Sequence, residues 1–262
     1  MLKLSVKVNN LFGTDITHED MVRRAAAAGA NAIGFWPWYD DLDDVIDAAA
    51  SVDVDIAYLS GGSPSIDGPE FQLTDPASRD SAVEEIKRAI DTAAVVDSTF
   101  LNVIPGPRRD TLDPAVQHIS IVQALRQVAN RAERSGVTVL VEPVNTAVDH
   151  PGIYLTSSYE GYEIINAVDS PNVKLLYDVY HQQITEGNII ENLRKHVDRI
   201  GYVHIGDVPG RHEPGIGEIN YPVVLSALAD AGYDGYIGCE FDPVGEPEDA
   251  IRGVRSMLDS VG

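Results

Sequence analysis

The chain has 262 residues, 44% of them hydrophobic, and a formal charge of −22 from 41 acidic against 19 basic residues. That charge repels a phosphate backbone, and no basic patch stands against it, so no nucleic-acid partner is expected. No apolar run approaches the roughly 20 residues of a membrane helix, and the single cysteine, Cys239, cannot form an internal disulfide.

The opening stretch MLKLSVKVNN is too short and polar for a signal peptide, so a soluble cytoplasmic protein is expected. The acid excess is rich in Asp while Lys is scarce, which reads as adaptation to high salt. An ordinary acidic cytosolic protein is the plainer alternative.

Along the chain, short β-branched runs alternate with longer segments of helical period. Strands are expected at 3–8, 32–35, 55–59, 100–104, 138–142, 174–178, 202–204 and 236–240. Helices are expected at 18–28, 41–50, 77–95, 114–135, 158–168, 189–195, 222–231 and 247–259. Gly29, Gly136 and Gly232 follow helical runs, and Pro114, Pro222 and Pro247 open them. No linker or composition break intervenes, so residues 1–262 are expected to form a single domain. Eight βα units with continuous apolar strands predict an α/β fold, a closed (β/α)8 TIM barrel. A doubly wound open sheet is the alternative. It calls for a glycine-rich phosphate loop after the first strand, where this chain has Asn9-Asn10-Leu11-Phe12-Gly13.

In such barrels the active site lies where the strands end. The fifth run, VTVLVEPVN, ends in Glu142; the sixth, VKLLYDVYHQQ, in Asp178; the seventh, GYVHIGD, in His204; the eighth, YIGCEF, in Glu240. Singly, each carboxylate has an ordinary explanation as a helix cap or loop salt bridge, and the histidine as a satisfied interior residue. Four consecutive strands ending alike point to one site. An uncompensated cluster of three carboxylates would cost several kcal/mol, so a cation is expected there. The oxygen-rich set suits Mn²⁺ or Mg²⁺ and accommodates Co²⁺. No organic cofactor is required.

The segments VEPVNTAVDHPGIYLTSS, LLYDVYHQQITEGN, HIGDVPGRHEPGIGEINY and GYIGCEF resemble the hydroxypyruvate isomerase group of the xylose-isomerase-like TIM barrels. The resemblance is strong in the C-terminal half and extends to the N-terminal half by pattern. The same superfamily holds ketose 3-epimerases and apurinic endonucleases. The resemblance implies that Glu142 and Glu240 form a proton-transfer pair, that Asp178 and His204 complete the metal shell, and that His181 and Arg211 contact substrate oxygens. It also implies a small keto acid or ketose as substrate, isomerised through an enediolate. Two positions depart from the group. Some hydroxypyruvate isomerases carry Gln where His204 stands, while His is usual in the ketose epimerases. Some carry Lys where this chain has Asp242, and losing that cation weakens the case for a carboxylate substrate.

Other residues have two readings each. Trp36 and Trp38 could wall the pocket or pack an interface. Arg108 and Arg109 could bind an anionic end group, though a solvated charged turn is the better expectation. His150 is expected to order its loop, and Cys239, by strand alternation, to pack away from Glu240. A homo-oligomer is compatible with the sequence but not specified by it.

Overall fold

A computed structural model describes residues 1–36, 41–61 and 71–261. Among these, eight parallel strands follow one another in chain order and close into a barrel. They are β1 (Lys3–Lys7), β2 (Ala32–Phe35), β3 (Asp55–Ser60), β4 (Phe100–Val103), β5 (Thr138–Val141), β6 (Val173–Asp178), β7 (Ile200–Ile205) and β8 (Tyr236–Cys239). Around them run α1 (Val8–Phe12), α2 (His18–Ala27), α3 (Leu42–Ser51), α4 (Arg79–Val95), α5 (Pro114–Ser135), α6 (Ser158–Val168), α7 (Val179–Thr185), α8 (Ile189–His196), α9 (Tyr221–Asp230) and α10 (Pro247–Asp259). The fold is the expected (β/α)8 barrel, and the open sheet is excluded because β1 pairs with β8.

The long helices follow local chemistry. Asp113 caps α5 by accepting from the Ala115 N–H, Pro114 takes the first turn, and Gly136 ends the helix in the left-handed region at φ 70°. The sequence reading missed α1 and α7. Both start directly at a strand end, and neither is long enough to show a period of its own. In α7 the cap is Asp178, whose Oδ1 accepts from the His181 N–H at 3.1 Å.

Strand alternation sorts the core into two populations. Outward residues such as Leu4, Ile33, Leu101, Val139, Leu175, Val203, Ile237 and Cys239 pack under the helices. Inward ones, among them Tyr58, Leu140, Leu176, Tyr202 and Tyr236, fill the barrel with Phe100 against them. This inner packing closes the barrel below its C-terminal rim, so the site above has a solid floor. No described helix is long and apolar enough to cross a membrane.

Candidate active site

The alternation that places Leu140, Leu176 and Tyr202 in the interior places Glu142, Asp178 and His204 two residues further along, at the rim, and Glu240 two beyond Gly238. Glu142 and Glu240 each stand one residue beyond their strand, yet their N–H groups continue the ladder to Val103 O and Ile205 O, each at 3.1 Å. Asp178 is the last residue of β6 and lies opposite His204, which in turn lies opposite Gly238. A Cβ at position 238 would sit 2.5 Å from the Tyr202 ring and 2.8 Å from His204 Cδ2. The absent side chain of Gly238 therefore makes room for the imidazole. The rings of Tyr58 and Tyr202 meet it edge-on, at 5.0 and 5.3 Å between centroids.

Glu142, Asp178, His204 and Glu240 are all buried, and one ligand atom from each falls within 4.8 Å of the others. His204 Nδ1 is 2.6 Å from Glu240 Oε2 and 3.9 Å from Glu142 Oε1. Close as it is, Nδ1 makes no hydrogen bond of good direction. Burial opposes a charge on His204, but Glu240 and Glu142 outweigh it and push its pKa up to about 9. Burial also opposes ionisation of Glu240, yet His204, Lys7 and Arg211 hold its carboxyl well below the usual range. Asp178 is raised by burial, against the pull of Arg211. Three carboxylates around an imidazole with an undirected Nδ1 fit a divalent cation. Ligation requires the neutral imidazole, so such an ion would take the place of the histidine proton.

The bland reading of Asp178 as a helix cap holds for one of its oxygens only. Oδ1 caps α7, while Oδ2 faces the cluster and accepts from Arg211 Nη2 at 3.1 Å. The same Nη2 lies 3.1 Å from Glu240 Oε2, so Arg211 bridges two of the four residues. Its guanidinium also lies 5.0 Å over the Tyr180 ring. His181 sits beside it, with Nε2 3.4 Å from Arg211 Nη2 and 3.6 Å from Asp178 Oδ2. Asn145 Oδ1 accepts from Val148 N, so its Nδ2 is the group 2.7 Å from His181 Nδ1. Nδ1 must therefore accept, which leaves the proton on Nε2, facing the site. Burial, with Arg211 beside it, lowers the His181 pKa to about 3, so the ring stays neutral.

The HEPGIGEINY stretch acts through a residue the sequence reading passed over. The carboxylate of buried Asp207 accepts from Val208 N and Ile219 N on Oδ1, and from Gly215 N and Gly217 N on Oδ2, all at 2.9 to 3.0 Å. A Cβ on Gly217 would fall 2.4 Å from Oδ1, so glycine is required there. Tyr221 Oη donates to Gly206 O at 2.6 Å and anchors the start of the same loop. The motif is thus a loop wound on one carboxylate. It presents Arg211, with its backbone at φ 55°, to the cluster.

Strands β1 and β4 also contribute groups not singled out from sequence. Asn102 Nδ2 donates to Glu142 Oε2. Lys7 Nζ contacts Glu240 Oε1 and lies 5.5 Å over the Trp36 ring. Lys7 therefore brings a cation to Glu240 from the neighbouring strand. Scanning β1 for the polar residue that ends its apolar run would have found Lys7, but extending the strand to Val8 hid it.

Of the remaining residues, Arg109 pairs with Asp75 at 3.5 Å. Arg108 has its backbone N–H on Gly152 O at 2.7 Å. His150 donates its backbone N–H to Asn145 O at 3.1 Å and sets its ring edge-on to His181 at 5.3 Å. Trp38 lies outside the described residues.

Residues 22–261 match the family model described as xylose isomerase-like TIM barrel. A 2-oxo-tetronate isomerase of Cupriavidus necator is 39% identical over 158 residues, a match spanning 60% of each chain. The hydroxypyruvate isomerase of Escherichia coli is 29% identical over 257 residues, covering 96% of this chain and 98% of that one. Among solved structures, a family 2 AP endonuclease from Brucella melitensis superimposes with a TM-score of 0.90 at 26% identity, over 98% of this chain and 99% of that one. A D-allulose 3-epimerase from Methylomonas sp. shares the fold, with a TM-score of 0.84 at 20% identity over 100% and 97% of the two chains. With the family match spanning most of its length, the chain belongs to the xylose isomerase-like TIM barrel family.

Proposed function

We propose that the protein is a divalent-metal-dependent isomerase of a small hydroxy-keto acid, acting in the manner of hydroxypyruvate isomerase through a Glu142/Glu240 proton-transfer pair. The observation that carries this reading is the buried cluster of Glu142, Asp178, His204 and Glu240 at the barrel rim. The names of the relatives, hydroxypyruvate isomerase and 2-oxo-tetronate isomerase, support it.

The four clustered residues would hold the ion, Mn²⁺ or Mg²⁺ by their oxygen-rich character, with Co²⁺ also accommodated. Bound there, it would supply positive charge where charge grows on the substrate oxygens as a C–H bond breaks. The chain's own residues account for the rest. One glutamate takes the proton from the carbon beside the carbonyl, and the other stands across the cluster to return one. Asn102 steadies the Glu142 carboxylate. Arg211 and the Nε2–H of His181 offer donors to substrate oxygens on the Asp178 side. Tyr58 and Tyr202 close the floor against water from below.

A ketose 3-epimerase is the second reading, favoured by His204 in place of Gln. The two share the first proton removal and differ in which carbon receives a proton. Turnover in D₂O with added Mn²⁺, followed by NMR across keto acids and ketoses, separates them. Carbonyl migration is the expected result, and inversion at C3 would replace it with the epimerase. Neither change on any substrate, or full activity in a demonstrably metal-free preparation, would overturn the proposal.

A further inference from the structure

Lys7 ends β1 on an inward-facing position and is only 8% exposed. Burying an ammonium costs several kcal/mol unless its donors find partners. Lys7 has three donors and, among the described residues, one acceptor, Glu240 Oε1. The Trp36 ring adds attraction from one side without accepting an N–H in line. Neutralising Glu240 is not the lysine's whole task, because Arg211 and His204 already lie against the other oxygen of that carboxylate.

Charge gives the reason. With a divalent ion held by neutral His204, the three carboxylates are outweighed by that ion together with Lys7 and Arg211, leaving one positive charge at the rim. Removing Lys7 would leave none. The half-buried Asp149, tied to Asn145, sets its charge against Arg211 and His181 and not against Lys7. An ammonium with spare donors beside the ion suits a monoanion.

Resting on the isomerase reading above, we infer that Lys7 is the residue that makes this site select a substrate carboxylate over an uncharged sugar end. It would engage the carboxylate with the donors that Glu240 leaves free.

The test is calorimetric binding of D-glycerate and of its uncharged amide, D-glyceramide, to the Mn²⁺-loaded protein and to Lys7→Gln and Lys7→Arg. Wild type should favour glycerate by about tenfold or more, the size of a charge-assisted hydrogen bond. Lys7→Gln should erase that preference by weakening glycerate binding far more than glyceramide binding, and Lys7→Arg should keep it. Equal affinity for both ligands in wild type, or a parallel loss of both in Lys7→Gln, overturns the inference. So does loss of the preference in a folded Lys7→Arg variant. These binding results do not depend on turnover. Failure of the isomerase reading would show as absent chemistry with the charge preference intact; failure of this inference would show as chemistry without it.

Discussion

Strands β5 to β8 and strands β1 to β4 reach the same rim with different chemistry. The second half of the barrel delivers Glu142, Asp178, His204 and Glu240, one ligand type per strand. In the first half, β1 ends in Lys7, β3 ends in Ser60, and β4 carries Asn102 one residue before its end. None of these three is a carboxylate or an imidazole. Two of them instead contact the glutamates of the other half: Lys7 touches Glu240 and Asn102 touches Glu142. The contrast suggests that one half of the ring holds charge and the other half sets how that charge is oriented and balanced.

The largest effect that could break this division is in the ligand half. Glu142→Gln and Glu240→Gln should each lower kcat by about 10²- to 10⁴-fold, because the amide keeps the shape but cannot take the proton. Steady-state kinetics with melting curves for the same variants checks it. A near wild-type rate in either variant removes that glutamate from the chemistry.

Next is the pH response of the metal-free protein. The His204 pKa is raised to about 9 in the folded chain, above the roughly 6.5 of an unfolded histidine. Its stabilising contribution is therefore complete below about pH 6.5 and lost as pH climbs through 9, a change of order 3 kcal/mol. Bound Mn²⁺ should blunt that loss, and its binding below pH 9 should release a proton. Denaturant midpoints from pH 6 to 10 and calorimetry in buffers of different ionisation heat measure both. A flat metal-free profile would mean that the carboxylates do not hold the imidazole proton.

In the supporting half, Asn102→Ala should lower kcat by about tenfold with little change in folding, since a single hydrogen bond to a charged group is lost. An effect as large as Glu142→Gln would place Asn102 in the chemistry itself and dissolve the contrast between the halves. The smallest effect belongs to neither half. With −22 net charge, the melting temperature should rise by about a few degrees from low salt to molar KCl. A flat or falling curve would contradict adaptation to high salt.

The sequence determined the number and order of the strands, because alternation of apolar runs with helical segments is a local property that survives without contacts. It also exposed Glu142, Asp178, His204 and Glu240 as a group, since all four end an apolar run and all are ligand types. Tertiary structure decided what those residues meet. Lys7 and Glu240 are 233 positions apart and touch only because β1 pairs with β8 when the barrel closes. Asp207 in HIGDVPG gains its role only when the following loop folds its N–H groups onto it. Arg211 faces the cluster because that loop turns it there, and no spacing along the chain encodes the turn. Periodicity fixes which face a side chain takes. Which partner it finds across the barrel depends on closure, and closure is a property of all eight strands together.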